Sequence, residues 1–263
     1  MDKQADAIRR FQVENVKIEV HPTRESAGVA AARATADALL KLAQDRESIG
    51  VIFATGASQI ETLRALIAIP DLPWSKVRGF HMDEYVGMSP EHPASFRRYM
   101  HEKLTQKVKM QEFREIDGSS PDPEAVCRDY IEALHNANPQ LCLLGIGENG
   151  HLAFNDPPVA NFHDPVDMKV VQLDTVCRQQ QAAEGWFHSL EEVPQRAITL
   201  TIPTLFRVPK LIASVPGKRK ASIVRRALDE PVSTDCPATL LRTHPDATIY
   251  LDRDSASEWK PEA

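Results

Sequence analysis

The chain has 263 residues, of which 42% are hydrophobic and 26% are charged, as in a globular protein that can bury a full core. Its formal net charge of −6 gives no overall attraction for nucleic acid or an anionic membrane, so any anionic ligand needs a local group of donors. No apolar run approaches the length of a membrane-spanning helix, and the N-terminal stretch MDKQADAIRRF lacks a secretory signal pattern. We therefore expect a cytoplasmic protein.

In chain order, the hydrophobic pattern predicts a strand over residues 16–20, a helix over 26–42, a strand over 49–54, a helix over 59–69, a strand over 77–81, helices over 95–104 and 124–136, strands over 141–145, 196–201 and 210–215, a helix over 219–228 and a strand over 248–251. Strands that alternate with helices indicate the α/β class, with a mostly parallel sheet covered by helices on both faces. We expect one domain, with residues 1–15 as an N-terminal extension and 252–263 as a C-terminal tail.

The cysteines favour a protein without disulfides or structural zinc. The four residues Cys127, Cys142, Cys177 and Cys236 form no C-x-x-C pair, and no histidine lies at zinc-finger spacing from them. Buried thiols in a reducing compartment are the expected outcome, and no metal site is predicted.

In open α/β sheets, ligands bind beyond the carboxyl ends of the strands, so the residues that follow each strand are the candidates. After the strand at 49–54 come Thr55, Gly56, Ala57 and Ser58, and then a helix begins. Small residues let backbone N–H groups approach an anion at such a helix start, although Ser58 suits a plain N-cap equally well.

Two adjacent acids, Asp83 and Glu84, follow the strand at 77–81 and precede a glycine turn. One of them could act as a general base in a pocket mouth. A turn-forming aspartate beside an outward-facing glutamate is the alternative explanation.

A glycine-rich loop follows the apolar strand at 141–145 and ends at His151. A histidine there is well placed for acid–base work near neutral pH, and Asp156 could accept a hydrogen bond from its ring. A histidine with a purely structural role is the alternative, which the loop context makes less attractive.

A basic run from Gly217 to Lys220 opens the helix at 219–228. Cations at a helix N-terminus oppose the helix dipole, and a bound anion would resolve that conflict. A solvated charge run is the alternative.

Together these loops indicate a small phosphorylated metabolite handled by acid–base chemistry without metal. The sequence has no G-x-G-x-x-G after a strand, no phosphate-binding G-x-x-x-x-G-K-[ST] and no G-x-S-x-G, so it lacks nucleotide-binding and hydrolase-elbow motifs.

Two long segments resemble one known family. The segment FHMDEYVG (80–87), with HP and SF following it, is similar to the first signature of glucosamine-6-phosphate deaminases, and GIGENGHLAFN (145–155) is similar to the second. The similarity extends in order from about Val16 to Leu251. The sister 6-phosphogluconolactonases share the glycine–histidine loop but lack M-D-E-Y and carry a Ser-Leu-Phe-Pro-like run after the histidine, so the resemblance favours the deaminase branch.

The resemblance implies a Rossmann-like fold, no cofactor, and conversion of glucosamine 6-phosphate to fructose 6-phosphate and ammonia. It implies that Asp83 shuttles a proton between C2 and C1 and that His151 acts in ring opening, with Asn149 and Asp156 as its helpers. The residues expected to bind substrate or phosphate are Thr55, Gly56, Ala57, Ser58, Glu84, Gly147, Arg178 and Lys220.

The chain departs from the family pattern at several of these positions. Asn149 stands where many members carry Asp, Ala57 and Ser58 stand where Gly and Thr are frequent, and Asp156 replaces the usual Glu. The last change withdraws the carboxylate by roughly 1.5 Å. Gln181 aligns with an arginine that binds phosphate from a lid, and Arg178, one helical turn earlier, is the expected substitute.

Two alternative functions stay open at this point. One is a 6-phosphogluconolactonase-like hydrolase, and the other is a non-catalytic protein that senses sugar phosphates. The expected partner is a small phosphorylated sugar rather than nucleic acid or membrane, and a homo-oligomer is possible. A basic stretch associated with allosteric activation in some members is absent around residues 167–169, so no such regulation is expected.

Overall fold

The computed structural model describes residues 7–260 and contains eleven strands and seven α-helices in that range. The strands are β1 (Arg9–Val13), β2 (Val16–His21), β3 (Ile49–Phe53), β4 (Val77–His81), β5 (Asp83–Tyr85), β6 (Glu112–Arg114), β7 (Leu141–Leu144), β8 (Met168–Gln172), β9 (Arg196–Leu200), β10 (Lys210–Val215) and β11 (Ala247–Asp252). The helices are α1 (Arg24–Asp45), α2 (Ile60–Ile67), α3 (Phe96–Met100), α4 (Pro123–Ala137), α5 (Thr175–Ala183), α6 (Ile202–Phe206) and α7 (Ala221–Asp229). None of the described helices combines the length and hydropathy of a membrane span.

Eight strands form the main sheet in the order β1-β2-β11-β10-β7-β3-β4-β6. The β1–β2 hairpin is antiparallel, and every other pair in this sheet is parallel. Helices cover both faces because the inner strands are apolar on both sides. Val51 and Phe53 pack in the cluster that includes Leu39 of α1, whereas Ile52 packs in the opposite cluster with Tyr130 of α4. The predicted α/β class, with one mostly parallel sheet between helices, is confirmed.

A second, smaller sheet stands at the carboxyl edge of the first. Its order is β5-β9-β8, and both pairs are antiparallel. Only Met82 separates the end of β4 from the start of β5, so the chain passes from the main sheet into the small sheet at this point. Asp83 is the first residue after the crossing and pairs with Thr199.

The predicted elements exist with small shifts of their ends, with two differences of placement. The strand predicted at 196–201 lies in the small sheet rather than the main one. The helix predicted at 95–104 is α3 followed by a π-helical turn, His101–Thr105. The pattern missed the short strands β1, β5, β6 and β8, because three to five residues at a sheet edge carry little periodicity.

Parts of the predicted extension and tail belong to the main sheet or pack against each other. Residues 9–13 of the extension form β1, and Phe11 contacts Trp259 of the tail at a ring-centroid distance of 5.0 Å. Asp252 is the last residue of β11, and both of its carboxylate oxygens accept from the Gly217 backbone N–H at 3.0 Å. Residues 1–6 and 261–263 of the predicted extension and tail lie outside the described residues.

Candidate active site

The loops after four neighbouring strands, β4, β3, β7 and β10, meet at one cavity on the carboxyl edge of the main sheet. Eight of the twelve sequence-predicted site residues line this cavity: Thr55, Gly56, Ala57, Ser58, Asp83, Gly147, His151 and Lys220. The other four do not line it: Glu84, Asn149, Asp156 and Arg178. The parallel arrangement explains the convergence, since parallel strands end at the same edge.

The glycine loop after β7 brings the His151 ring against the backbone. A side chain at Gly147 would meet the imidazole at 2.2 Å, so this position requires glycine for the ring to lie where it does. Gly150 has φ +90°, a conformation that glycine adopts without strain. The loop closes on itself through a hydrogen bond from Gly147 N–H to the His151 carbonyl at 3.0 Å.

Asp156 and Asn149 hold the His151 ring from behind. The Asp156 carboxylate lies 2.8 Å from Nδ1 of His151, and the Asn149 amide donates to that carboxylate at 3.0 Å. The Asn149 side-chain oxygen accepts from the His151 backbone N–H, also at 3.0 Å. With Nδ1 engaged by Asp156, Nε2 is the ring nitrogen available to a ligand. The shorter aspartate therefore still reaches the histidine.

The environment of Asp156 favours its charged form. Burial raises the pKa of this carboxyl, but the nearby His151 charge and hydrogen bonds from His151, Asn149 and the Asp174 N–H outweigh burial and lower it below the usual range. A charged carboxylate beside Nδ1 fixes the orientation and the tautomer of the His151 imidazole.

One described group has metal-ligating atoms close together. The ligand atoms of His151, Asp156 and Cys177 all lie within 4.8 Å of one another. Burial raises the pKa of the Cys177 thiol well above its usual range, and metal binding needs the thiolate. Without a metal, the group is an imidazole–carboxylate pair with a buried, neutral thiol as its neighbour.

Asp83 enters the cavity from the crossing between the two sheets. It is buried, and its Oδ1 has no hydrogen-bond partner among the described residues. Burial, and then the neighbouring charge of Glu84, raise the pKa of Asp83 well above its usual range. A carboxyl group with a raised pKa and a vacant oxygen is suited to taking up and returning a proton.

Glu84 points away from the cavity, in contrast to the predicted substrate-binding role. Its carboxylate accepts from the Ser95 hydroxyl at 2.9 Å, the Arg97 N–H at 3.0 Å and the Tyr85 N–H at 2.9 Å. Side chains alternate along a strand, so adjacent residues of β5 face opposite sides. Glu84 thus anchors the start of α3, and its negative charge acts on Asp83 from behind.

The opposite end of the cavity is built to hold an anion. Lys220 is only 6% exposed and lines the cavity, and burial lowers its pKa although Glu184 and Glu148 oppose the shift. The loop 55–58 leads into a 3₁₀ turn and α2, with Gly56 at φ +88°. The other cations of the basic run turn outward, since Lys218 donates to Ser257 at 2.7 Å.

The lid segment, defined here as residues 174–193, contains α5 and the turns after it. The structure does not place Arg178 in the cavity, contrary to the prediction. Its guanidinium donates to the Leu190 carbonyl at 2.7 Å and the Val193 carbonyl at 3.0 Å, so it closes the lid segment on itself. Gln181 does line the cavity, and its side-chain oxygen accepts from the Tyr85 hydroxyl at 2.9 Å.

The sequence analysis missed two polar residues of the lid segment that line the cavity, Gln180 and Glu184. They are one helical turn apart and face the same side as Gln181. The four-residue spacing of Gln180 and Glu184 is visible in the sequence, but the arginine that the family resemblance implies favoured Arg178 instead. The polar face of this helix was the available signal.

Comparison with known proteins agrees with this geometry. The family model for glucosamine-6-phosphate isomerases/6-phosphogluconolactonase matches residues 22–250. The chain is similar to a glucosamine-6-phosphate deaminase of Geobacillus sp., with 35% identity over 84% of this chain and 89% of that protein. A similar deaminase of an Exiguobacterium species is 36% identical over 71% of each chain.

Solved structures extend the comparison. A monomeric glucosamine-6-phosphate deaminase has a TM-score of 0.84 at 32% identity and covers 92% of this chain and 99% of its own. A 6-phosphogluconolactonase from Thermotoga maritima, with a TM-score of 0.74 at 19% identity over 90% of this chain and 99% of its own, shares the fold. The match over residues 22–250 and the relatives above 30% identity establish that the chain belongs to the family of glucosamine-6-phosphate isomerases and 6-phosphogluconolactonases.

Proposed function

We propose that this protein is an enzyme that converts glucosamine 6-phosphate and water to fructose 6-phosphate and ammonia. One observation carries the proposal: an unpartnered Asp83 carboxyl and an Asp156-oriented His151 imidazole line the same cavity, which also contains the buried cation Lys220. The deaminases that the chain resembles at 35–36% identity support the same conclusion.

The first step is opening of the sugar ring. His151 donates a proton from its available nitrogen to the ring oxygen while the anomeric hydroxyl loses its proton to water, and cleavage of the bond between C1 and the ring oxygen gives the open-chain aldehyde. The contact between Nδ1 and Asp156 orients the ring for this transfer. Asn149 fixes both partners, because it bonds to the Asp156 carboxylate and to the His151 backbone.

The second step moves a proton between carbons. Asp83 removes the proton from C2 and returns it to C1, while one proton passes from the C2 amine to O1, so that the C1 aldehyde becomes a primary alcohol and the C2 amine becomes an imine. Water adds to that imine to form a carbinolamine, which collapses to the C2 ketone and releases ammonia. The raised pKa of Asp83 suits this task, because burial and the charge of Glu84 make it a stronger base than an exposed carboxylate.

The phosphate is assigned to the end of the cavity formed by Lys220 and the loop 55–58. A charge-assisted hydrogen bond from Lys220 and backbone N–H groups at the helix start supply the recognition. Arg178 has no part in this assignment, because its guanidinium serves the carbonyls of the lid segment.

The proposal includes a cytoplasmic location, which four free and buried cysteines support. Light scattering of the purified protein tests whether copies associate.

The decisive experiment incubates the purified protein with glucosamine 6-phosphate and measures ammonia and fructose 6-phosphate together. Equal release of both, unchanged by EDTA and absent in Asp83→Asn, supports the proposal. Hydrolysis of 6-phosphogluconolactone without ammonia release from any hexosamine 6-phosphate would replace it with the hydrolase function. Binding of sugar phosphates with neither reaction would indicate a sensing protein.

A further inference from the structure

The cavity pairs its cation with an acid from the lid segment. Lys220 is the single lysine or arginine among the described residues that line it. Glu184 also lines the cavity, as do Gln180 and Gln181. After burial, which lowers the pKa of Lys220, the negative charge of Glu184 has the largest effect on that pKa and raises it. A phosphate monoester at neutral pH carries close to two negative charges, since its second pKa is about 6. One lysine beside one glutamate is therefore a poor electrostatic match for a phosphate dianion.

Glu184 is fixed in place by donors on both of its oxygens. The Gln180 amide donates to one oxygen at 2.8 Å, and the Trp186 indole N–H donates to the other at 3.2 Å. Gln180 is itself held, because its side-chain oxygen accepts from the Glu148 backbone N–H at 2.8 Å. The carboxylate is thus not a loose surface group that a bound anion can push aside without breaking hydrogen bonds.

The same acid is connected to the loop that is assigned to the phosphate. The Trp186 ring packs edge-on against Tyr99 at a centroid distance of 6.2 Å. The Tyr99 hydroxyl donates to the Gly56 carbonyl at 2.9 Å. Glu184, through its Trp186 partner, therefore belongs to a continuous set of contacts that ends at the loop 55–58.

We propose that Glu184 is a specificity-determining residue that makes binding of a sugar phosphate require one proton, shared between its carboxylate and a phosphate oxygen. The shared proton removes the repulsion between the two anions and replaces it with a charge-assisted hydrogen bond. The site then selects the phosphate monoanion, or equivalently takes up a proton with the dianion. The proposal rests on the assignment of the phosphate to this end of the cavity.

Other titratable groups face this region and set the controls. The charged or titratable groups across the cavity and on the elements packed against it are Lys220, Arg219, Glu148, Cys177, Tyr85, Tyr99, Asp83, His151, Arg24 and Glu61. The Arg24 guanidinium donates to the Ala57 carbonyl, but its charge is paired with Glu61 at 2.9 Å and it does not line the cavity. Loss of the Lys220 proton would also weaken anion binding as pH rises. Glu184 raises the pKa of Lys220, so removing Glu184 would make that effect stronger, not weaker. When Glu184 is removed, titration of Lys220 therefore predicts a steeper pH dependence of Kd, whereas proton sharing by Glu184 predicts a flatter one.

Calorimetric titration with a hexitol 6-phosphate tests the proposal, because this probe has no ring to open and no amine to titrate. The Kd of the unmodified protein is expected to rise about tenfold per pH unit between pH 7 and 8, with uptake of close to one proton in buffers of different ionisation enthalpy. Glu184→Gln is expected to bind with a Kd nearly independent of pH and about tenfold tighter at pH 8. Glu148→Gln, the other nearby acid, is the matched control and is expected to keep the slope.

The outcomes separate this inference from the proposed function. A Glu184→Gln variant with an unchanged or steeper slope overturns the role of Glu184 and assigns the effect to Lys220 or His151. A pH-independent Kd in the unmodified protein overturns it as well. No binding of the probe at any pH, in a protein that still releases ammonia from glucosamine 6-phosphate, also contradicts it. No binding and no ammonia release contradict the proposed function itself.

Discussion

The cavity is bounded by two regions that are held in different ways. The strand-end loops carry Asp83, His151 and Lys220, and they extend from four neighbouring strands of a parallel sheet. The lid segment carries Gln180, Gln181 and Glu184, and it connects two strands of the small sheet. Backbone pairing fixes the first region, whereas side-chain hydrogen bonds to Glu148 N–H and the Tyr85 hydroxyl fix the second.

This difference separates reaction chemistry from ligand selection. The register of the sheet sets the spacing of Asp83 and His151. The sequence motifs of these two loops therefore also predict the proton-transfer residues. The lid groups depend on individual side chains, and here a polar face with an acid stands where the resembling family has an arginine. Substitutions of the proton-transfer residues Asp83 and His151 should therefore affect kcat, whereas substitutions of the ligand-binding residues, which are Lys220 of the first region and the lid groups of the second, should affect KM.

The largest effect is expected for Asp83→Asn. An amide cannot accept and return the C2 proton, so turnover should fall by about 10³–10⁴-fold for cyclic and open-chain substrates alike. Binding of a sugar phosphate, measured by calorimetry, should stay within a few-fold. Asp246→Asn, at the opposite edge of the sheet, is the control and should retain full activity. Residual turnover above a tenth of the original would remove Asp83 from the role of base.

His151→Gln should damage mainly the reaction that begins with the ring. A loss of about 10²–10⁴-fold is expected with cyclic glucosamine 6-phosphate, the usual contribution of acid–base assistance. Proton exchange at C1 of fructose 6-phosphate in deuterium oxide, with ammonia present, should continue because Asp83 is intact. His163→Gln, in an exposed loop, is the matched control. Equal loss of proton exchange in the His151 and Asp83 variants would contradict the assignment of ring opening to His151 and of proton transfer between carbons to Asp83.

Substitution of two cations, Lys220 after a main-sheet strand and Arg178 in the lid segment, tests which region binds the phosphate. Lys220→Met should raise KM by about ten- to a hundredfold, since a charge-assisted hydrogen bond contributes about 1.5–3 kcal/mol. Arg178→Met should leave KM within about twofold and lower stability by about 1–2 kcal/mol, because its guanidinium serves two backbone carbonyls. Steady-state kinetics and urea unfolding measure the pair. A large KM change in the Arg178 variant would show that the lid segment rearranges when substrate binds.

The smallest effect concerns the pH profile. Burial and then the charge of Glu84 raise the pKa of Asp83, so kcat should fall on the acid side at a higher pH than for an ordinary carboxylate. Glu84→Gln removes the neighbouring negative charge, so the pKa of Asp83 should drop and the acid limb should move to lower pH. Activity below the limb of the unmodified enzyme should then increase several-fold. If the acid limb stays at the same pH while circular dichroism shows an intact fold, a group other than Asp83 sets the pH of that limb.

Long-range patterns in the sequence predicted the main features well. The apolar run at 141–145 and the loop that follows it correctly identified a buried strand that delivers His151 to the cavity. Predicting the pairing of Asp156 with His151 needed only their spacing in one loop. The opposite faces of Asp83 and Glu84 could also have been predicted, because neighbouring residues of a strand point to opposite sides.

The remaining features depend on contacts between distant segments. The position of the Arg178 guanidinium is set by the carbonyls of Leu190 and Val193, which lie 12 and 15 residues further along the chain. The place of Glu184 depends on Trp186 and on the Glu148 backbone from another loop. Such contacts leave no periodic signal in the sequence. The same holds for β1, whose pairing with β2 was hidden in a short polar stretch.

The position of β2 between β1 and β11 has a consequence for synthesis on the ribosome. Val20 pairs with Leu251, so the inner partner of the first hairpin is the last strand to emerge. Strand pairing across such a sequence separation delays completion of the sheet until translation is nearly finished. Asp252, which holds the Gly217 backbone beside the Lys220 turn, emerges with that strand. A nascent chain that stops before residue 247 therefore lacks both the partner of β2 and the support of its anion-binding turn.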